Sequence, residues 1–180
     1  INNLVFYELE LSSESVYVQS QLLLTRRLVY ADGVQLFGGQ LEKPELPGAQ
    51  VVELGEGKSS VVQRDSRSYG SFEQRYAIFP EQSGVFTITS DSVTASVRVL
   101  DGISNSRKTV RVSTDEKRIT VKPIPSEYPA DKPWLPAIAV TAAQRFEPPL
   151  ISDFEVGDTV TRTVNVRVIG NSGASLPPVQ

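Results

Sequence analysis

Alternation of apolar with other residues is the feature of this sequence that most limits its fold. In an extended chain every second side chain shares a face, so a period of two marks strands that bury one side. Leu22, Leu24, Leu28 and Tyr30 share one parity with Arg26, whereas a helix would place both Arg26 and Arg27 on the stripe with Leu23 and Tyr30. The strand buries less charge and is the preferred reading. Phe72, Tyr76 and Ile78 share a parity, as do Phe86 and Ile88, and then Val93, Ala95, Val97 and Val99. Later runs are Val110 with Val112, Ile119 with Val121, and Val160, Val164, Val166 and Val168. All are short and rich in β-branched or aromatic residues, which suit a pleated, half-buried surface.

Turn signals separate the runs. Asp32-Gly33, Gly38-Gly39, Pro47-Gly48, Gly55-Glu56-Gly57, Ser83-Gly84, Asp101-Gly102 and Gly157-Asp158 offer a positive or preset φ where the chain must reverse. Strands recurring about every ten residues, with no amphipathic helix between them, indicate antiparallel sheets packed face to face. The expected fold class is therefore all-β, an antiparallel immunoglobulin-like β-sandwich over residues 4–122 followed by part of a second sandwich module. Its core is expected to contain Leu24, Leu28, Tyr76, Ile78, Phe86, Ile88, Val97 and Val121.

Pro123, Pro125, Pro129, Pro133 and Pro136 fix φ and remove ladder donors, which predicts a semi-rigid Pro-rich linker over 123–136. Tyr128 and Trp134 within it are expected to pin the linker onto a neighbouring module. Residues 137–180 read as the N-terminal part of a second, truncated β-sandwich module, because a segment of about 40 residues seldom folds alone. The face formed by Val160, Val164, Val166 and Val168 has its best pairing candidate in the run around Ile138 and Val140. The chain contains no Met and is read as an excised segment.

The chemistry open to the chain is narrow. It contains no His and no Cys, so imidazole bases, Cys nucleophiles, disulfides and the usual zinc sites are excluded. A net charge of −3, with Lys and Arg spread along the sequence, provides no basic stripe for a nucleic acid. No apolar run approaches the roughly 18 to 20 residues that span a bilayer, and the N-terminus lacks signal-peptide order. Gly38-Gly39 and Gly55-Glu56-Gly57 read as hairpin turns rather than phosphate loops, and the carboxylates are scattered over turns and solvent faces. No catalytic, cofactor-binding or metal-ligating residue is assigned, and no cofactor is expected.

Some surface clusters could bind a partner. Arg26-Arg27 with Arg64, Arg67 and Arg75 could form a basic face, although cross-strand pairing with Glu73 is the simpler account. Tyr69, Phe72, Tyr76 and Phe79 could present an aromatic platform to a sugar, although Phe72 and Tyr76 have core parity.

Several strings carry a resemblance. Ser15-Val16-Tyr17-Val18-Gln19 leads into Leu22-Leu23-Leu24-Thr25, and Arg75-Tyr76-Ala77-Ile78-Phe79-Pro80 precedes Ser83-Gly84. Val121-Lys122-Pro123-Ile124-Pro125, Pro133-Trp134-Leu135-Pro136-Ala137, the run Val156 to Thr163, and Leu176-Pro177-Pro178 follow in order. Together they resemble the BatD family of bacterial oxygen-tolerance (aerotolerance) proteins, from about Phe6 onward. The resemblance implies an intact protein with a signal peptide, several immunoglobulin-like modules in the periplasm or on the outer face of the cytoplasmic membrane, and a transmembrane segment nearer its C-terminus. The membrane is implied only through segments absent from this chain. Also implied as partners are other proteins of an envelope complex, including von Willebrand A-type proteins and a MoxR-type AAA+ ATPase system.

The expected function is a non-enzymatic, protein-interaction or scaffold module of such a membrane-anchored protein. A carbohydrate-binding or adhesin-like sandwich is the alternative, and it would require Trp134, Tyr69 and Phe79 exposed in one concavity or grouped carboxylates for calcium. Von Willebrand A-type domains often complete a metal shell with a ligand's carboxylate. An exposed turn acid such as Asp32 or Asp65 could supply one, against the simpler reading of both as turn-formers.

Overall fold

The computed structural model describes residues 4–99, 107–151 and 153–178; the Asp101-Gly102 turn lies outside the described residues. Contacts divide the chain into two units, Ile1–Pro123 and Ile124–Gln180. The first is all-β and sandwich-like. Its strands are β1 (Val5–Leu11), β2 (Ser15–Tyr17), β3 (Leu22–Ala31), β4 (Val34–Gly38), β5 (Ala49–Glu53) and β6 (Lys58–Arg64). The remainder are β7 (Arg67–Pro80), β8 (Gly84–Ile88), β9 (Ser92–Val99), β10 (Arg107–Ser113) and β11 (Lys117–Lys122).

One layer runs β1-β3-β7, with β5 and β6 in turn along the far side of β7. Glu53 faces Tyr76 and Lys58 faces Glu73, so four residues from Leu54 to Gly57 pass only Gln74 and Arg75. The edge must therefore bulge there. Gly55-Glu56-Gly57 lies in this bulge and not in the hairpin turn expected of it, because the chain continues along the same neighbour instead of reversing.

The other layer is built from β4-β9-β10 and β8-β11-β2. Ser92 faces Ser113 and Ile88 faces Lys117, four positions on along both strands, so one long hairpin keeps its register through an interruption. Thr114 bridges that interruption: its N–H donates to the Asp91 carbonyl at 2.8 Å, and its hydroxyl accepts from the Asp91 N–H at 3.0 Å. Among the described residues pairing is antiparallel except between β2 and β11. The parallel pair arises because the chain leaves the first layer after β1 and joins the second, beside β11, without reversing.

Gly38 and Gly39, at φ 75° and 77°, end β4 and open the stretch that leads to β5 in the opposite layer. They make a crossover rather than a hairpin turn.

The core between the layers consists of two apolar clusters. Val5, Tyr7 and Leu28 pack with Val34, Val93, Ala95, Val97 and Val110. Leu22, Leu24, Tyr76 and Ile78 pack with Leu46, Ile88, Ile119 and Val121. Each fully buried side chain of this size stabilises the fold by about 1.5 to 3 kcal/mol. Seven of the eight expected core residues are buried, and Phe86 is half-buried, packed against the second cluster. Among the described residues its strand β8 pairs only with β11 and forms a margin of its layer, so part of the ring meets solvent.

In the second unit β12 (Ala139–Glu147) and β13 (Thr161–Ile169) form an antiparallel pair in which Val140 faces Val168. This is the pairing that alternation around Ile138 and Val140 suggests. Val164, Val166 and Val168 are half-buried, whereas Val160 precedes β13 and is exposed. The Tyr128 and Trp134 rings meet edge to face at 4.9 Å, and the Tyr128 hydroxyl donates to the Pro133 carbonyl at 2.6 Å. These contacts fold the Pro-rich stretch on itself. The Asn171 side chain donates to the Pro136 carbonyl at 2.7 Å, tying that stretch to the end of β13.

Candidate functional site

Arg26 lies on the core side of β3 between Leu24 and Leu28, one from each apolar cluster, and is 4% exposed. A buried guanidinium without partners would cost several kcal/mol. Arg26 has them. Its Nε donates to the Tyr7 hydroxyl at 2.5 Å, Nη1 donates to the Glu42 carbonyl, and Nη2 pairs with Asp91. The Tyr7 hydroxyl donates in turn to Asp91 Oδ2 at 2.6 Å. Arg26 Cζ also lies 5.6 Å and 5.7 Å from the ring centres of Tyr7 and Tyr76. Burial pushes both phenols above their ordinary value, with Arg26 opposing the shift. The protonated Tyr7 can therefore keep donating to Asp91. This arrangement ties β1 and β3 to the interruption of the opposite layer, and its chemistry is that of a structural clamp.

The remaining arginines of the expected basic face form no free cluster: Arg27 and Arg64 both pair with Glu8. Across the outer side of the first layer Glu8, Arg27, Glu73 and Lys58 stand in one cross-strand row of alternating charge. Arg27 Nη2 reaches Glu73 Oε2 at 2.7 Å, and Arg64 donates through both terminal nitrogens to Glu8. Those hydrogen bonds hold the Glu8 carboxyl below its ordinary value. Arg67 and Arg75 remain exposed. Ion pairs of this kind satisfy charge locally and leave little for a partner.

The aromatic platform is also dispersed. Tyr76 is fully buried, Phe79 is buried and Phe72 half-buried, while Tyr69 meets Phe6 edge to face at 6.3 Å. At ~3.3 Å per residue, Tyr69 and Phe79 lie near opposite ends of β7 and cannot share a concavity. Among the described residues no three acidic side chains group to hold a metal ion.

Both turn acids are exposed and both shape their turns. Asp32 Oδ1 accepts from the Gly33 N–H at 3.0 Å. Asp65 and Ser66, at φ 47° and 63°, close the tight hairpin in which Arg64 faces Arg67. Two positive φ values mark the turn type that matches strand twist.

What the second unit leaves open is its hairpin. β12 and β13 pair only with each other among the described residues, and most of their positions are exposed. Ile138, Val140, Val160 and Ile169 are apolar and between 40% and 81% exposed. A two-stranded pair is marginal in water, and its outer edges can accept another strand.

Alternation places Arg26 correctly, but its partners Tyr7 and Asp91 go unnoticed in the sequence. A lone Arg on an apolar parity does demand a buried acceptor; nothing local says which. No family model matches this sequence, and no curated protein matches it. The all-β sandwich-like class thus rests on the fold itself, and the BatD resemblance on the strings that carry it.

Proposed function

We propose that this chain is a non-enzymatic protein-interaction or scaffold module. The observation that carries the reading is the β12–β13 hairpin, whose exposed apolar residues, and edges unpaired among the described residues, suit docking against another protein. Its first unit has already committed Arg26, Arg27 and Arg64 to internal pairs, which suits a rigid support. Lack of His and Cys in the sequence favours the same reading.

With the BatD resemblance added, the module becomes an immunoglobulin-like extracytoplasmic part of an oxygen-tolerance protein, facing the periplasm and anchored in the cytoplasmic membrane. Its partners would then be envelope-complex proteins such as a von Willebrand A-type protein, and residues 137–180 would belong to a second sandwich module. The test is photo-crosslinking in the native envelope from probes at Thr141 and Asn165 on the hairpin, with a probe at exposed Val61 as control. Crosslinks to the von Willebrand A-type protein from the hairpin alone are expected. Equal capture at Val61, or none at the hairpin, would remove the reading. If binding occurs and survives both Asp32→Asn and Asp65→Asn, the turn acids play no part in it.

A further inference from the structure

A cavity of about 500 Å³ opens within the first unit between β4 and the β5–β7 side of the opposite layer. That volume is within the ~300 to 1,000 Å³ range of small-molecule sites. Its lining is graded. Leu28 and Gln74 are buried, Tyr30, Leu36, Leu41 and Phe72 are half-buried, and Glu42, Glu53 and Ser59 are exposed.

Gln74 is the informative residue, at 4% exposure. Its Nε2 donates to the carbonyls of Gly55 at 3.0 Å and Arg75 at 3.3 Å. Because both partners are carbonyls, the amide orientation is decided and Oε1 must be the remaining atom. Oε1 accepts no hydrogen bond from the described residues and lies beside Gly57 of the bulge. A buried acceptor with open capacity is costly unless water or a ligand supplies a donor. Glu42 and Glu53 form no ion pair among the described residues, and the buried cation of the same layer, Arg26, is held by Asp91.

The side chains therefore offer an acceptor and negative charge around half-buried apolar walls, with no cation among the described lining residues, and the neighbouring Arg26, which donates to the Glu42 carbonyl, is neutralised by Asp91. We propose that this cavity binds an ammonium or guanidinium carried on an apolar stem, with the stem against Tyr30, Leu36 and Phe72. The cation meets Glu42 and Glu53, and a donor group reaches Gln74 Oε1. This site stands apart from the hairpin and does not rest on its role. The ligand is either a free organic amine or a basic side chain presented by a polypeptide.

The whole chain, labelled with ¹⁵N, would be titrated with phenethylamine, a blocked glycyl-arginyl-glycine peptide, and neutral phenethyl alcohol, following the Gln74 side-chain amide and the Gly39 backbone amide. Saturable shifts with the amine but not the alcohol assign a free amine as the source; shifts with the peptide assign a presented side chain. Glu42→Gln with Glu53→Gln should weaken the response roughly tenfold, as loss of charge pairing predicts. Ser59→Trp, at an exposed rim position, should block it while leaving the remaining amide spectrum in place. The proposal is overturned if neither cation gives saturable shifts, if the alcohol binds as well as the amine, or if the charge-removed variant binds unchanged.

Discussion

Arg26 and Asp91 form an ion pair that joins β3 of one layer to the interruption between β8 and β9 in the other. The pair lies where the two apolar clusters meet, with Leu24 and Leu28 on either side of Arg26 along β3. Its exposure is uneven: the Arg26 side chain is 4% accessible and that of Asp91 40%.

That unevenness makes the two halves of the pair unequal. Asp91→Ala strands a buried guanidinium and should cost about 3 to 5 kcal/mol, whereas Arg26→Met leaves a carboxylate that water can reach and should cost about 1 to 3 kcal/mol. The double variant should be more stable than Asp91→Ala alone. Denaturant unfolding of the four proteins checks this; equal single costs that simply add would refute it.

Ile78 is fully buried and Phe86 only partly. Ile78→Ala should cost about 2 to 5 kcal/mol through lost burial and a residual cavity, and Phe86→Ala should fall at or below the low end of that range. Midpoints of urea unfolding would show the order, and a cost under about 1 kcal/mol at Ile78 would contradict its placement.

Glu8 is held below the ordinary carboxylate value of 4.5 by the hydrogen bonds from Arg64. The unfolded chain therefore takes up the proton first on acidification. The contribution of Glu8 is complete above 4.5 and is lost as pH falls through the lower folded value. Glu8→Gln should flatten the stability profile in that acidic window and leave its slope near neutrality unchanged. Equilibrium unfolding at stepped pH makes the comparison.

Gly70 faces Tyr30 across the strands, and a Cβ added to Gly70 would lie 2.2 Å from the Tyr30 ring. Gly70→Ala should destabilise by about 1 to 3 kcal/mol through overpacking. The same change in a Tyr30→Leu background should cost clearly less, since the ring that meets the new methyl is gone. Thermal denaturation of the cycle measures that coupling.

The hairpin of the second unit should not sustain itself. Burial of its single apolar face, at ~25 cal/mol per Å², competes with ~1 to 2 kcal/mol of ordering entropy per residue. A peptide of residues 137–180 is expected to be largely unfolded by circular dichroism. A cooperative thermal transition from the monomeric peptide would count against a docking role for the hairpin.

Strand character was legible in the sequence because parity is a local property: Leu22, Leu24 and Leu28, or Ile119 and Val121, identify their buried face from spacing alone. Even Arg26 could be placed on that face. Its partners could not, since Tyr7 and Asp91 are brought to it by strand pairing and by packing of one layer on the other, across 19 and 65 residues of sequence. The same holds for the cavity, where Glu42, Glu53 and Gln74 show no shared motif and line one space only because the stretch after β4 crosses to the layer that contains β5 and β7. Turn residues were informative about where the chain bends but not about what the bend joins, so Gly38-Gly39 became a crossover and Gly55-Glu56-Gly57 a bulge. Backbone conformation and face are set by neighbours along the chain; which faces and edges meet is set by burial and loop closure over long separations, and that only the tertiary structure decided.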